Sequence, residues 1–146
     1  MRSSGQQRGA TSLGTPRAKR LTAPRHEHRA YARVETAGIW SLFLWLVGKR
    51  RCYHIRGASM HPTLCEGDRV LVKPRSPRSE LPRVGEIAVV AHPYQRDLVL
   101  IKRIAHISPA GLSLLGDNPY ESSDSRSFGV LPLSALHGLV RERIPA

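Results

Sequence analysis

The chain of 146 residues carries 23 Lys and Arg against 11 Asp and Glu, a net charge of +12. Its length suits one domain, and 11 Pro and 12 Gly with 40% apolar residues are too few breakers for a wholly disordered chain. No apolar heptad runs far enough for a coiled coil, and a polytopic membrane protein is also excluded.

Residues 1–36 read as a disordered basic arm. They are rich in Arg, Ser, Gly, Thr and Gln, with Pro16 and Pro24, and have little apolar surface to bury. The charged part is too long for a secretory signal. Residues 1–37 hold eight Lys/Arg against Glu27 and Glu35; Lys49, Arg50 and Arg51 add three charges, so nine of the twelve excess charges precede Cys52. Such an arm suits anionic partners, whether lipid surface or nucleic acid.

Residues 37–51 follow as a short apolar and basic helix. From Ala37 to Gly48 there are twelve residues without charge, where a spanning helix needs about 20. The stretch reads as a helix in a membrane interface, with Trp40 and Trp45 at the headgroup boundary and Lys49-Arg50-Arg51 facing an anionic leaflet. The rival reading packs it on its own domain.

Residues 52–146 form the body, and its texture is β-rich. Strands are expected at 53–56, 68–73, 86–91, 98–107, 112–115 and 139–144, with a helical turn at 133–137 and a surface loop at 74–84. Strands this short and close argue for a small β-barrel or sandwich. Cys52 and Cys65 leave one bridge open, but a reduced cytosolic pair is expected.

Three segments of the body carry chemistry. Ser59 lies in Gly57-Ala58-Ser59-Met60-His61-Pro62, a break directly after a strand. A serine there can expose its hydroxyl and set its own amide beside a carbonyl, and Gly57 allows close approach. Most serines near glycines are simple turn formers. Lys102 falls on one strand face with Leu98, Leu100, Ile104 and His106, opposite Val99, Ile101, Arg103 and Ala105. Desolvation lowers an amine's pKa, and a neutral amine can act as general base; a lysine at a sheet edge can equally snorkel to water. The segment from Gly116 to Gly129 is dense in short polar side chains, and Asp124 and Arg126 are spaced to pair and clamp it. A solvated turn has the same composition.

Together these segments are far more specific than any one. Ser-Met-x-Pro-Thr-Leu from Ser59, Gly67-Asp68, Lys102-Arg103 and Gly116-Asp117-Asn118…Ser122-x-Asp124-Ser125-Arg126 resemble the signal peptidase I (S26) family of serine–lysine proteases. The resemblance covers Cys52 to Ala146. It implies a signal-peptidase-like β domain with Ser59 as nucleophile, Lys102 as general base and Ser122 as the serine that orients the lysine. Asp124 and Arg126 become a structural ion pair, and the Ser59 amide the oxyanion donor. Some members carry a hydroxyl two positions before the nucleophile; here Gly57 stands there, so the hole is mainly backbone. No metal or cofactor is implied.

His92-Pro93-Tyr94, Leu100-Ile101-Lys102-Arg103 and the Gly116–Gly129 segment narrow the match to the nickel-type superoxide dismutase maturation proteases. The implied partner is the dismutase precursor, whose N-terminal pro-segment is removed so that the freed amine can join the nickel site. The alternative is a general signal peptidase cleaving exported preproteins. Lys49-Arg50-Arg51 between the apolar stretch and the body argue for a cytoplasmic body, peripheral on the inner face of the membrane.

Two rival constellations remain. Cys52, His54, His61 and Cys65 lack the paired spacing of structural zinc, and a Cys65–His61 pair would leave Ser59 and Lys102 unexplained. A basic nucleic-acid-binding module is the alternative of a different class, but the body lacks clustered aromatics for base stacking.

Overall fold

Runs of Val, Ile and Leu cut by Gly and Pro become the strands of one curled sheet. The computed structural model describes residues 34–146; the arm expected at 1–36 lies outside them up to residue 33. In chain order the elements are β1 (Glu35–Thr36), α1 (Ile39–Leu46), β2 (Arg51–His54), β3 (Arg69–Pro74), β4 (Ile87–Ala91), β5 (Val99–Ser108), β6 (Gly111–Leu115), α2 (Ser125–Phe128), a 3-10 turn (Leu133–Ala135) and β7 (Leu136–Ile144).

The sheet runs β2-β3-β7-β4-β5-β6, antiparallel throughout, and β1 adds a short parallel pairing to β7. It curls into a half-barrel. Bulges at Leu71/Val72, Val89/Val90 and Ile104/His106 interrupt the ladders, and bulges bend strands and increase their twist. The mainly β expectation therefore holds.

β4 shows why the sheet is central. Its sequence Ile-Ala-Val-Val-Ala has no polar face, and Ile87 to Val90 are all buried. Alternation sends Ile87 and Val89 into one cluster with Met60, Leu64, Val70 and Val140, and Ala88 and Val90 into another with Ile104, Leu112, Leu114 and Leu139. A strand buried on both faces reads as a continuous apolar run, as here.

Several boundaries differ from the sequence reading. β2 lies two residues earlier than the strand expected at 53–56, because its partners on β3 run from Arg69 to Val72. β7 begins at Leu136, inside the expected helical turn, because Leu136 to Leu139 pair with β4. Glu35 and Thr36, assigned to the arm, pair instead with Glu142 and Arg143. The expected face of β5 holds through Leu100 and Ile104, which join the second cluster while Val99 and Ile101 pack on the first. The bulge after Ile104 then breaks the alternation before His106.

β7 joins the two halves of the sheet, with β3 along one edge and β4 along the other. Gly138 sits at that junction. A Cβ there would overlap the Lys73 carbonyl oxygen and stand 2.8 Å from Val72 Cγ1. Gly138→Ala is therefore expected to lower stability by about 2 kcal/mol through overpacking. A thermal melt compared with wild type checks this; an unchanged melting temperature would contradict it.

Candidate active site

The chain leaves the sheet after His54 and turns. Ile55 N donates to the Asp68 carbonyl at 2.8 Å and Gly67 N to the Ile55 carbonyl at 3.1 Å. Met60 and Leu64 then plug into the first cluster, which holds the intervening turn against the body. Ser59 is half-buried on this turn, one residue before the Met60 anchor, and Gly57 adopts φ +77. The Ser59 carbonyl accepts a hydrogen bond from Asn118 N at 3.0 Å, tying the turn to the segment after β6.

Lys102 is 4% exposed on β5. Its Nζ donates to Ser122 Oγ at 3.1 Å, and Ser122 Oγ donates to Asp124 Oδ2 at 2.8 Å. Burial pushes the amine's pKa below the usual lysine value; Asp124 opposes this and Arg126 adds to it. The lysine therefore does not snorkel. It shares with Ser59 a groove of about 400 Å³ that also takes in Gly57 and Met60. No hydrogen bond joins Ser59 Oγ to Lys102 Nζ among the described residues. Catalytic contacts often tighten only when substrate is bound.

The polar loop is a built structure. Asp124 is wholly buried and caps α2. Arg126 Nε reaches Asp124 Oδ1 at 2.9 Å and its Nη2 reaches Oδ2 at 2.7 Å; Gly116 N adds a bond to Oδ2 at 3.1 Å. Burial alone would raise the Asp124 carboxyl, but the Arg126, Gly116 and Ser122 donors outweigh it and hold the group well below the ordinary range. The same pairing raises Arg126. Ser125 Oγ accepts from Leu114 N at 2.8 Å, fixing the loop to β6. Gly116 passes so close that a Cβ there would stand 2.6 Å from the Ser59 carbonyl oxygen and would overlap Ser122 Oγ.

The structure thus places Gly57, Ser59 and Lys102 on one groove and links Lys102 through Ser122 to Asp124 and Arg126. It also shows two ion networks that the sequence reading left unassigned. Arg103 is buried and grips Asp117 with two bonds, Nε–Oδ1 at 2.7 Å and Nη2–Oδ2 at 2.6 Å. Its Nη1 donates to the Gly85 carbonyl at 2.7 Å, and Thr63 Oγ1 donates to Asp117 Oδ2 at 2.5 Å. Buried Asp68 pairs with Arg143 Nε at 2.7 Å and accepts from Cys65 N at 2.7 Å. Burial alone would raise its carboxyl, but the Cys65 amide and Arg143 bring it below the usual value. The signal for both acids lay in the Gly-Asp pairs and that for Arg103 in Lys102-Arg103, yet nothing in them says which acid meets which base.

Cys52 and Cys65 are free thiols. Among the described residues no three His, Cys, Asp or Glu side chains converge as ligands would.

A buried lysine bonded to a serine thus lies in one groove with a second serine on a glycine-flanked turn. Residues 30–109 match the family model described as signal peptidase, peptidase S26, and the chain belongs to that family of serine-type peptidases. It is also similar to the mitochondrial ATP-independent inner membrane protease subunit 1a of Arabidopsis thaliana. The two are 31% identical over 114 residues, with 62% of this chain and 68% of the relative covered.

Arg126 tests the electrostatics, because its side chain is 51% exposed and belongs to neither core cluster. Its positive charge lowers the Lys102 pKa. In Arg126→Gln that repulsion is gone and the Asp124 charge acts unopposed, so the lysine pKa rises. The acid limb of a pH–rate profile on a peptide substrate is expected to move to higher pH. A limb that stays put or moves down would contradict this.

Proposed function

We propose that the chain is an endopeptidase working by acyl transfer through Ser59 and Lys102, and that its substrate is the pro-form of a nickel superoxide dismutase. The observation that carries the reading is the shared groove of a half-buried serine and a buried, pKa-lowered lysine. Substrate access also fits. The Val99–Lys102 part of β5 pairs with β4 along one edge, while β6 pairs only from Arg103 onward. The other edge stays open to the groove, so an extended precursor can add to it by backbone hydrogen bonds.

In the mechanism, neutral Lys102 Nζ takes the proton from Ser59 Oγ as that oxygen attacks the scissile carbonyl carbon. The Ser59 amide helps hold the oxyanion. The C–N bond breaks and Lys102 gives its proton to the leaving amine. A water molecule then loses a proton to Lys102 and adds to the ester; release of Ser59 with that proton restores the dyad. Ser122 keeps the amine aimed, and the Asp124–Arg126 pair keeps Ser122 in place.

In the same reading the body rests on the inner face of a membrane through α1 and the basic run after it. No helix of the described residues is long and apolar enough to cross one. The similarity to an inner membrane protease subunit favours a second reading, cleavage of exported preproteins.

Co-expression separates these readings. With the dismutase precursor, wild type is expected to release the mature N-terminus. Ser59→Ala and Lys102→Met should each lower the rate by about 10³-fold or more, with melting temperatures showing both variants folded. Normal processing by both variants would end the dyad assignment. Processing of an exported preprotein but not the dismutase precursor would select the second substrate.

A further inference from the structure

α1 is apolar on nearly every side, yet it contributes little to the cores. Ile39, Trp40 and Leu46 are 81%, 76% and 77% exposed, and the one buried residue of the helix is Ser41. Ser41 hydrogen-bonds Glu142 of β7. A helix that turns its smallest polar residue inward and its tryptophan outward has its apolar partner elsewhere.

Directly beyond this helix lies a basic cavity. Arg51 pairs with Val72 in the β2–β3 ladder, which sets Arg50 level with Lys73 at the end of the pairing. Lys49, Arg50, Lys73, Ser76, Ser79 and Leu44 of α1 line a cavity of about 440 Å³. Among the described residues no carboxylate forms an ion pair with any of the three cations. Arg50 Nε is buried and has no hydrogen-bond partner among the described residues. Like charges held side by side are unfavourable, and an unpaired buried donor adds to the cost. On the other side Ser76 N donates to Ser79 Oγ at 2.9 Å and the two hydroxyls lie 3.1 Å apart. One hydroxyl proton of that pair remains for a third group.

We infer that this cavity receives the phosphate of an anionic phospholipid headgroup, with the apolar side chains of α1 among the acyl chains beside it. The inference rests on the membrane contact proposed above and adds a specific site to it. Guanidinium, ammonium and hydroxyl donors around one space are the donor set a phosphate monoanion or diester takes. The apolar helix on the rim distinguishes a lipid from a free anion, since a soluble phosphate gains nothing from Trp40 or Leu46. Both tryptophans of the chain, Trp40 and Trp45, lie in α1, so their fluorescence reports on that helix.

The test is flotation of the full chain with vesicles of phosphatidylcholine alone or with added phosphatidylglycerol, read alongside tryptophan emission. Wild type is expected to float with the anionic vesicles and to shift its emission to the blue. Arg50→Gln with Lys73→Gln should need at least about tenfold more anionic lipid than Arg69→Gln with Arg83→Gln, which loses the same charge elsewhere on the surface. Cleavage of a soluble peptide confirms that both double variants are folded; if the first is not, Lys73→Gln alone is expected to weaken binding in the same direction. Equal binding by the two double variants overturns the headgroup site while leaving membrane contact standing. Failure of wild type to float overturns both. Inorganic phosphate that shifts the emission of dissolved protein, without flotation, makes this a soluble-anion site and overturns the lipid assignment.

Discussion

The withdrawal of the Lys102 amine from water organises the polar groups around it. Burying a charge costs several kcal/mol unless a close partner compensates. Here the compensation is deliberately incomplete. The nearby carboxylate of Asp124 is already held by two bonds from Arg126, so its pull on the lysine is opposed by the guanidinium beside it. What reaches Lys102 directly is a serine hydroxyl, which can accept from the amine without carrying charge. The neutral form is favoured by burial, and the amine stays aimed.

The same strand serves a second network on its opposite face. Lys102 and Arg103 are adjacent, so the pleat sends them to different sides of the sheet. Lys102 meets Ser122. Arg103 clamps Asp117 and, through Thr63, the far end of the turn that carries Ser59. Asp117 and Ser122 both belong to the segment after β6, so one dipeptide of β5 organises that segment from two sides. The turn that carries Ser59 has no regular structure of its own. Its position comes from Met60 and Leu64 in the core, from Thr63 in the ion network and from Asn118 at the Ser59 carbonyl.

These constraints depend on a sheet completed by the last strand of the sequence. β7 supplies the pairing that joins β2 and β3 to β4, β5 and β6. The site draws on the turn before β3, on β5 and on the loop after β6, so it assembles only when both halves are joined. α1 stands apart from this logic, touching the body through Ser41 while most of its apolar surface faces outward.

Much of this was legible in the residues. Alternation placed Lys102 with Leu100 and Ile104, and the apolar run at 86–91 marked a strand; these are local patterns that a chain carries regardless of its partners. Resemblance drew Ser59, Lys102, Ser122, Asp124 and Arg126 into one set. The sequence could not show that Lys102 is buried rather than snorkelling, because burial depends on the 116–129 segment folding over it. Nor could it show the Arg103–Asp117 and Asp68–Arg143 pairings, which join residues 14 and 75 positions apart. The start of β7 at Leu136 was equally hidden, since it is set by pairing with Val90 of β4, 46 positions earlier in the chain. Local pattern determines which residues can share a face; only the closed sheet decides which charges lose their water and which partners they meet.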